Sequence, residues 1–296
     1  MVRSEGASMH ASVGTMSGCF LNIILDPILI FGLLGFPAMG VQGAAIATVI
    51  GQIGAFLLYI VVYLHRNPGV TIHPRYLKLN WPLIRRIYSV GIPSSLMLMM
   101  PSLLVSALNG ILAAFSEVYV AVLGVYFKLQ TFIYMPANGM VQGMRPIIGY
   151  NYGAGQYGRV RQTIRYCLMG AAVLMLIGTV LSLAVPGGIL QLFQADAELL
   201  AAGETALRVI SLGFLVSTVG VVFSGVFEAL GRGGESLVIS LLRQLVITVP
   251  LGFALSRALG AVGIWIAFPV SELIASVAAL ILLKRYRNGE FFPFRN

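Results

Sequence analysis

The chain has 296 residues, of which 58% are hydrophobic and only 10% charged, with a formal charge of +9 and a mean hydropathy of +0.91. Soluble domains carry about 25% charged residues, so this composition excludes a water-soluble globular protein and points to a polytopic membrane protein. Cys19 and Cys167 form no CxxC, and His10, His65 and His73 form no HExxH, so neither a disulfide framework nor metal catalysis has support.

A membrane-spanning helix needs about 20 mostly apolar residues. Eight stretches qualify: 11–34, 41–64, 87–114, 119–143, 164–186, 205–230, 237–256 and 260–283. Alternation of period two is absent, which argues against a membrane β-barrel and for an all-α polytopic fold. The first two spans read as a hairpin closed by Gly35-Phe36-Pro37-Ala38-Met39, so residues 1–65 form a two-helix unit. Residues 66–80, with Pro68, Gly69 and Pro74, read as a polar linker on the cytoplasmic side. Trp81 to Arg86 reads as a short interfacial stretch, and six spans fill residues 81–296.

The positive charge follows this topology. Arg66, Arg75, Lys78, Arg85 and Arg86 fall between spans two and three. Arg145, Arg159, Arg161 and Arg165 fall between spans four and five, Arg232 follows span six, and Lys284, Arg285, Arg287 and Arg295 follow span eight. Alternate loops hold little positive charge beyond Arg257, and the 187–204 loop carries Asp196, Glu198 and Glu204. Basic loops on one side predict both termini in the cytoplasm, and they account for the charge without a nucleic-acid partner.

The helix pair of spans one and two is echoed by spans seven and eight. Leu25-Asp26-Pro27 corresponds to Thr248-Val249-Pro250, and Gly40-Val41-Gln42-Gly43-Ala44-Ala45-Ile46-Ala47 to Gly260-Ala261-Val262-Gly263-Ile264-Trp265-Ile266-Ala267. The spacing between copies is three residues shorter after the loop. Such duplication suits a transporter built from repeated halves. Only the first copy is read as carrying a buried charge: Leu245, Val249 and Phe268 stand where it has Asn22, Asp26 and Thr48. Polar groups needed by the fold alone would recur in both copies, so function is sought in the first.

Asn22 and Asp26, four residues apart on one helix, share a face. Asp26 is expected about 15 residues into its span, well inside the hydrocarbon, where a carboxylate costs at least about 2.5 kcal/mol. Pro27 frees a backbone carbonyl beside it. Oxygen ligands suit Na⁺, and desolvation equally favours proton binding; Thr48 on the paired helix would add a hydroxyl oxygen. A second group, Lys128, Gln130, Asn109 and Glu272, is expected to line a substrate cavity, with Asn138 and Gln142 nearby. Glu272 aligns with Gln52 of the first copy. Arg243 is expected to snorkel to the interface, and Glu228 to pair with Arg243 or Arg232.

Several runs together resemble one family. Arg3-Ser4-Glu5-Gly6, Asn22-Ile23-Ile24-Leu25-Asp26-Pro27 and Gly40 to Thr48 resemble the fifth and sixth helices of multidrug and toxic compound extrusion (MATE) transporters. Pro146-Ile147-Ile148-Gly149-Tyr150-Asn151-Tyr152-Gly153-Ala154 resembles their cytoplasmic signature after the eighth helix. Leu242-Arg243-Gln244 and Phe268-Pro269-Val270-Ser271-Glu272 resemble helices eleven and twelve, in the pattern of the MepA-type branch. The resemblance implies the last two helices of the N-lobe and the whole six-helix C-lobe of a twelve-helix fold. On this reading the chain is a fragment or an incorrectly started product, lacking four helices and the further carboxylate expected on the first of them. It implies cation-driven antiport: H⁺ or Na⁺ enters, held at Asn22, Asp26 and Thr48 as in archaeal members, while an organic, often cationic, drug leaves. No cofactor and no enzymatic activity are expected, and the setting is the plasma (inner) membrane bilayer, as a monomer. The rivals are a lipid-linked sugar or peptidoglycan-precursor flippase of the same superfamily, which would favour a basic cavity, and a non-functional membrane fragment.

Overall fold

A computed structural model describes residues 8–65, 80–193 and 195–287. The expected linker, apart from Asn80, and the Arg3-Ser4-Glu5-Gly6 run lie outside these residues. The chain divides into two compact units, Met1–Leu79 and Asn80–Asn296. No strand forms among the described residues, and eight helical segments are long and apolar enough to cross a membrane.

The first unit is a helical hairpin. Helix α1, Ser8–Phe31, and helix α2, Val41–His65, are joined by a loop that contains a short 3₁₀ turn, Leu33–Gly35. The loop folds back on α1: the Met39 and Gly40 amides donate to the carbonyls of Leu29 and Ile30 at 3.0 and 3.2 Å. These bonds satisfy carbonyls that a helix end would otherwise leave unpaired. A Cβ added at Gly43 would run into the Leu29 carbonyl, and one at Gly51 would stand 2.8 Å from the Gly18 carbonyl. Small residues thus set the approach of the two helices, as is common where no water drives them together.

The second unit holds α3 (Trp81–Leu112), α4 (Glu117–Gly153), α5 (Tyr157–Ala184), the short α6 (Pro186–Gln191), α7 (Ala197–Ala229), α8 (Gly233–Leu241), α9 (Thr248–Leu259) and α10 (Ala261–Arg287). Their starts are written locally. Asn80 Oδ1 accepts from the Leu83 amide ahead of Pro82, Ser116 Oγ from Val118, and Asp196 Oδ1 from Leu199, each meeting an amide that the helix leaves free. The Trp81 to Arg86 stretch is the continuous first part of α3 rather than a separate interfacial piece. Likewise the Pro146 to Gly153 run, read as a segment that follows a helix, is the end of α4 itself. That helix has 37 residues and is about 55 Å long, so it outruns a hydrocarbon layer of about 30 Å.

Helix α7 packs against α4, α5, α6, α8 and α10. Glycines make this possible: a Cβ at Gly213 would meet Pro269 of α10 at 3.0 Å, and one at Gly225 would collide with Val141 of α4. Phe214, Val222, Val226 and Phe227 of α7 are buried with Trp265, Tyr126, Ile148 and Met175. By contrast Val173, Leu176, Ile177 and Val180 of α5 are exposed. Their spacing puts them on one helix face, as expected of a surface that meets lipid.

Helices α9 and α10 repeat the α1–α2 hairpin in backbone detail. Gly40 and Gly260, at matching positions, both have positive φ, +53° and +63°, a conformation that costs other residues strain. Gly43 and Gly263 also match, and a Cβ at Gly263 would collide with the Leu255 carbonyl. The copies differ upstream: α1 runs unbroken through Asn22, whereas α8 and α9 are separated by a π turn, Leu242–Val246.

Gly263→Val should therefore lower stability by about 1–3 kcal/mol, the usual cost of overpacking, read as a lower melting temperature in detergent. Gly110→Ala, where a Cβ meets nothing within 4 Å, should leave melting unchanged or raise it.

Candidate functional site

In the first unit, Asn22, Asp26 and Thr48 lie together. Asn22 Nδ2 donates to Asp26 Oδ1 at 3.2 Å and to Thr48 Oγ1 at 3.4 Å, while Thr48 Oγ1 donates to the Ala44 carbonyl at 2.9 Å. The first contact follows from four-residue spacing on α1. The second needs α2 close by, and Gly51 provides the room: a Cβ there would stand 3.2 Å from Asn22 Cβ. Asp26 is half-buried and lies five residues before the end of α1, about 7.5 Å from it. Pro27 lies inside α1, so the Ile23 carbonyl receives no helical amide from it. The cluster presents only oxygen acceptors beyond the Asn22 amide, the donor set that hard cations take.

In the second unit a cavity of about 770 Å³ is bounded by α3, α4, the π turn and α10. Its polar side carries Gln130, Asn138, Arg243 and Glu272, and its apolar side Leu104, Phe127, Met135 and Phe268. Arg243 Nε lies 3.6 Å from Glu272 Oε1. On α4 the residues Tyr126, Gln130 and Tyr134 repeat every four positions along one face. Gln130 Nε2 donates to the Tyr126 hydroxyl at 2.8 Å, and the buried Tyr134 hydroxyl donates to Ser217 Oγ at 2.7 Å. The Tyr126 ring meets Phe268 edge-on, with centroids 5.3 Å apart.

A smaller chamber of about 100 Å³ shares Asn138 and Arg243 with this cavity and is also lined by Arg145, Ser224 and Ser240. Beside it Arg145 pairs with Glu228 at 2.9 Å, and Glu228 Oε1 accepts from Ser236 Oγ at 3.2 Å.

Of the residues expected to line a cavity, Gln130 and Glu272 do so, whereas Lys128 and Asn109 are not among those that line it. Lys128 is exposed because residues two apart on a helix point to different faces, and Gln130 occupies the inward one. The expected partners are also exchanged. Glu228 pairs with Arg145, Arg232 with Glu235 at 3.3 Å, and Arg243 with Glu272. Arg243 does not snorkel, because the helix leading to it starts at Gly233, earlier than the expected span, which sets Arg243 about 15 Å in. The second copy therefore has a partly buried charge pair of its own, against the expectation of charge in the first copy alone. Sequence reasoning passes over Tyr126 and Tyr134 among the apolar residues; their four-residue spacing with Gln130 is the available signal.

The profile of the MatE family matches residues 93–254. The multidrug export protein MepA of Staphylococcus aureus is 28% identical over 286 residues, covering 97% of this chain and 62% of that protein. MepA of Staphylococcus haemolyticus is 27% identical with the same coverage. The chain thus spans less than two thirds of the length of these relatives. Among solved structures, that of the MATE multidrug transporter DinF-BH in complex with R6G is 34% identical, with a TM-score of 0.84 over 97% of this chain and 64% of that one. An outward-facing multidrug resistance transporter has the same fold, with a TM-score of 0.87 at 24% identity over 96% of this chain and 63% of that one.

Removing one member of the Arg243–Glu272 pair should destabilise more than removing both. Arg243→Met strands a mostly buried carboxylate and should cost about 3 kcal/mol, whereas Arg243→Met with Glu272→Met should cost clearly less. Thermal unfolding of both variants in detergent measures the difference.

Proposed function

The chain belongs to the MatE family, and we propose that it acts in a multidrug efflux transporter that exchanges an organic, often cationic, drug for H⁺ or Na⁺, with both chain termini on the cytoplasmic side. The observation that carries this reading is the meeting of Asn22, Asp26 and Thr48 across two helices, with hydrogen bonds of 3.2 and 3.4 Å joining them. A carboxylate within a membrane-spanning hairpin is costly unless it serves an ion or a partner. The neighbours of Asp26 here are oxygen-bearing neutral groups, with no basic side chain hydrogen-bonded to it among the described residues.

In this mechanism Asp26 holds the incoming cation. Asn22 fixes the rotamer of the carboxylate through its amide, and its own carbonyl oxygen, the Thr48 hydroxyl and the carbonyl freed by Pro27 complete an oxygen-rich setting. The drug would occupy the cavity beside Gln130 and Glu272, whose volume of about 770 Å³ suits a drug-sized ligand. A flippase for pyrophosphate-linked lipids fits less well. The basic group of that cavity, Arg243, is already matched by Glu272, so the polar side offers no net positive charge to a polyanion.

Asp26→Asn should abolish coupled transport. In proteoliposomes, ethidium movement driven separately by an imposed proton gradient and an imposed sodium gradient would fall to the level of protein-free vesicles for the gradient that couples. Normal gradient-driven movement in that variant would refute the role of Asp26.

A further inference from the structure

The smaller chamber of the second unit is bordered by hydrogen-bond donors that the protein itself leaves unused. Asn138 and Arg145 stand about two turns apart on one face of α4, and α8 and the π turn bring Ser240 and Arg243 to the same space. Arg145 meets Glu228 through Nη2, and Arg243 meets Glu272 through Nε. A guanidinium carries more N–H groups than one such contact occupies. The terminal nitrogens of Arg243 have no hydrogen-bond partner among the described residues, and packing does not close them off. Ser240 is only 9% exposed, yet its hydroxyl has no partner among the described residues and is likewise not closed off. A hydroxyl so deeply placed is seldom left unmet. The Asn138 carboxamide also borders the chamber without a hydrogen bond among the described residues.

We propose that this chamber binds a chloride ion, held by Asn138, Ser240 and the guanidinium groups of Arg145 and Arg243, so that the ion ties α4 to α8 and the π turn. Both arginines border the chamber, whereas their carboxylate partners, Glu228 and Glu272, are not among the residues that line it. The two ion pairs leave no net charge for a polyanion, but they turn N–H and O–H donors toward one small volume. An anion accepts from all of them at once, through bonds about twice as strong as neutral ones. Two like charges beside the same poorly solvated space repel each other, and an anion between them offsets that cost. The volume of about 100 Å³ has room for about three water-sized particles at about 30 Å³ each. A chloride with a water or two fills it; an organic anion is too large. The site is independent of the Asn22, Asp26 and Thr48 cluster and of the exporter reading.

Equilibrium dialysis of radiolabelled chloride against the whole chain in detergent tests this, with gluconate holding the ionic strength constant. It should show a single class of saturable site, from which bromide displaces chloride and gluconate does not. Asn138→Ala with Ser240→Ala removes two neutral donors and leaves both ion pairs in place; it should weaken binding at least about tenfold. The melting temperature of the unaltered protein should be higher in chloride than in gluconate, because an ion that binds only the folded chain stabilises it. That difference should vanish in the double variant. Ser102→Ala, which alters the larger cavity and not the chamber, should change neither measurement. Absence of saturable binding would overturn the inference and leave the chamber to water. Undiminished affinity in the double variant, or a loss caused by Ser102→Ala, would place the ion elsewhere and overturn it equally. If the double variant melts without cooperativity, Ser240→Ala alone carries the comparison, with a weakening of at least about threefold expected.

Discussion

A charge in hydrocarbon must find a countercharge, a hydrogen-bonding partner or an ion, and this constraint explains where the polar groups of the chain stand. In the first unit Asp26 is met by a carboxamide, which in turn reaches a hydroxyl on the facing helix. In the second unit Glu272 faces Arg243, and Glu228 faces Arg145. The two solutions have different consequences. The carboxylate of Asp26 meets a neutral carboxamide, and no basic side chain is hydrogen-bonded to it among the described residues. That of Glu272 stands against a guanidinium, so its countercharge is supplied from within the protein.

The duplicated hairpins show how one backbone accommodates both. Gly40 and Gly260 both turn the chain with a positive φ, and Gly43 and Gly263 let the second helix touch the first at a carbonyl. These backbone demands recur because only glycine meets them at little cost. The side chains above them are free to diverge. The first copy places Asn22 and Asp26 on an unbroken helix. The second places Leu245 and Val249 at those positions, and a π turn over Leu242–Val246 presents Arg243 to α10. Single π turns occur often at functional sites, and here the turn brings a guanidinium to Glu272 across a cavity wall.

The same economy governs the second unit as a whole. Helix α7 can stand among five others because glycines and serines line it, and its buried hydroxyls bond within the helix, Ser211 to the Arg208 carbonyl and Ser217 to that of Phe214. The aromatic residues of α4 and α10 then pack against it without leaving their own polar atoms unpaired: Tyr134 bonds to Ser217, and Gln130 to Tyr126. A wall packed in this way gives the cavity a defined shape.

Helix number, the hairpin loops, the repeat and the shared face of Asn22 and Asp26 were all legible in the residues, because hydropathy, glycine placement and four-residue spacing act over a few turns of one chain segment. The partners of the buried charges were not. Arg243 and Glu272 belong to different helices, as do Arg145 and Glu228, and which acid meets which base depends on how each helix is rotated and where it begins. Reading Arg243 as near the interface failed for that reason, and Lys128 stands outside the lining of the second-unit cavity: a shift of a few residues in a helix start, or a step of two along α4, turns a side chain to another face. Spacing within a segment is a local property, whereas the meeting of segments is set only when all of them pack at once.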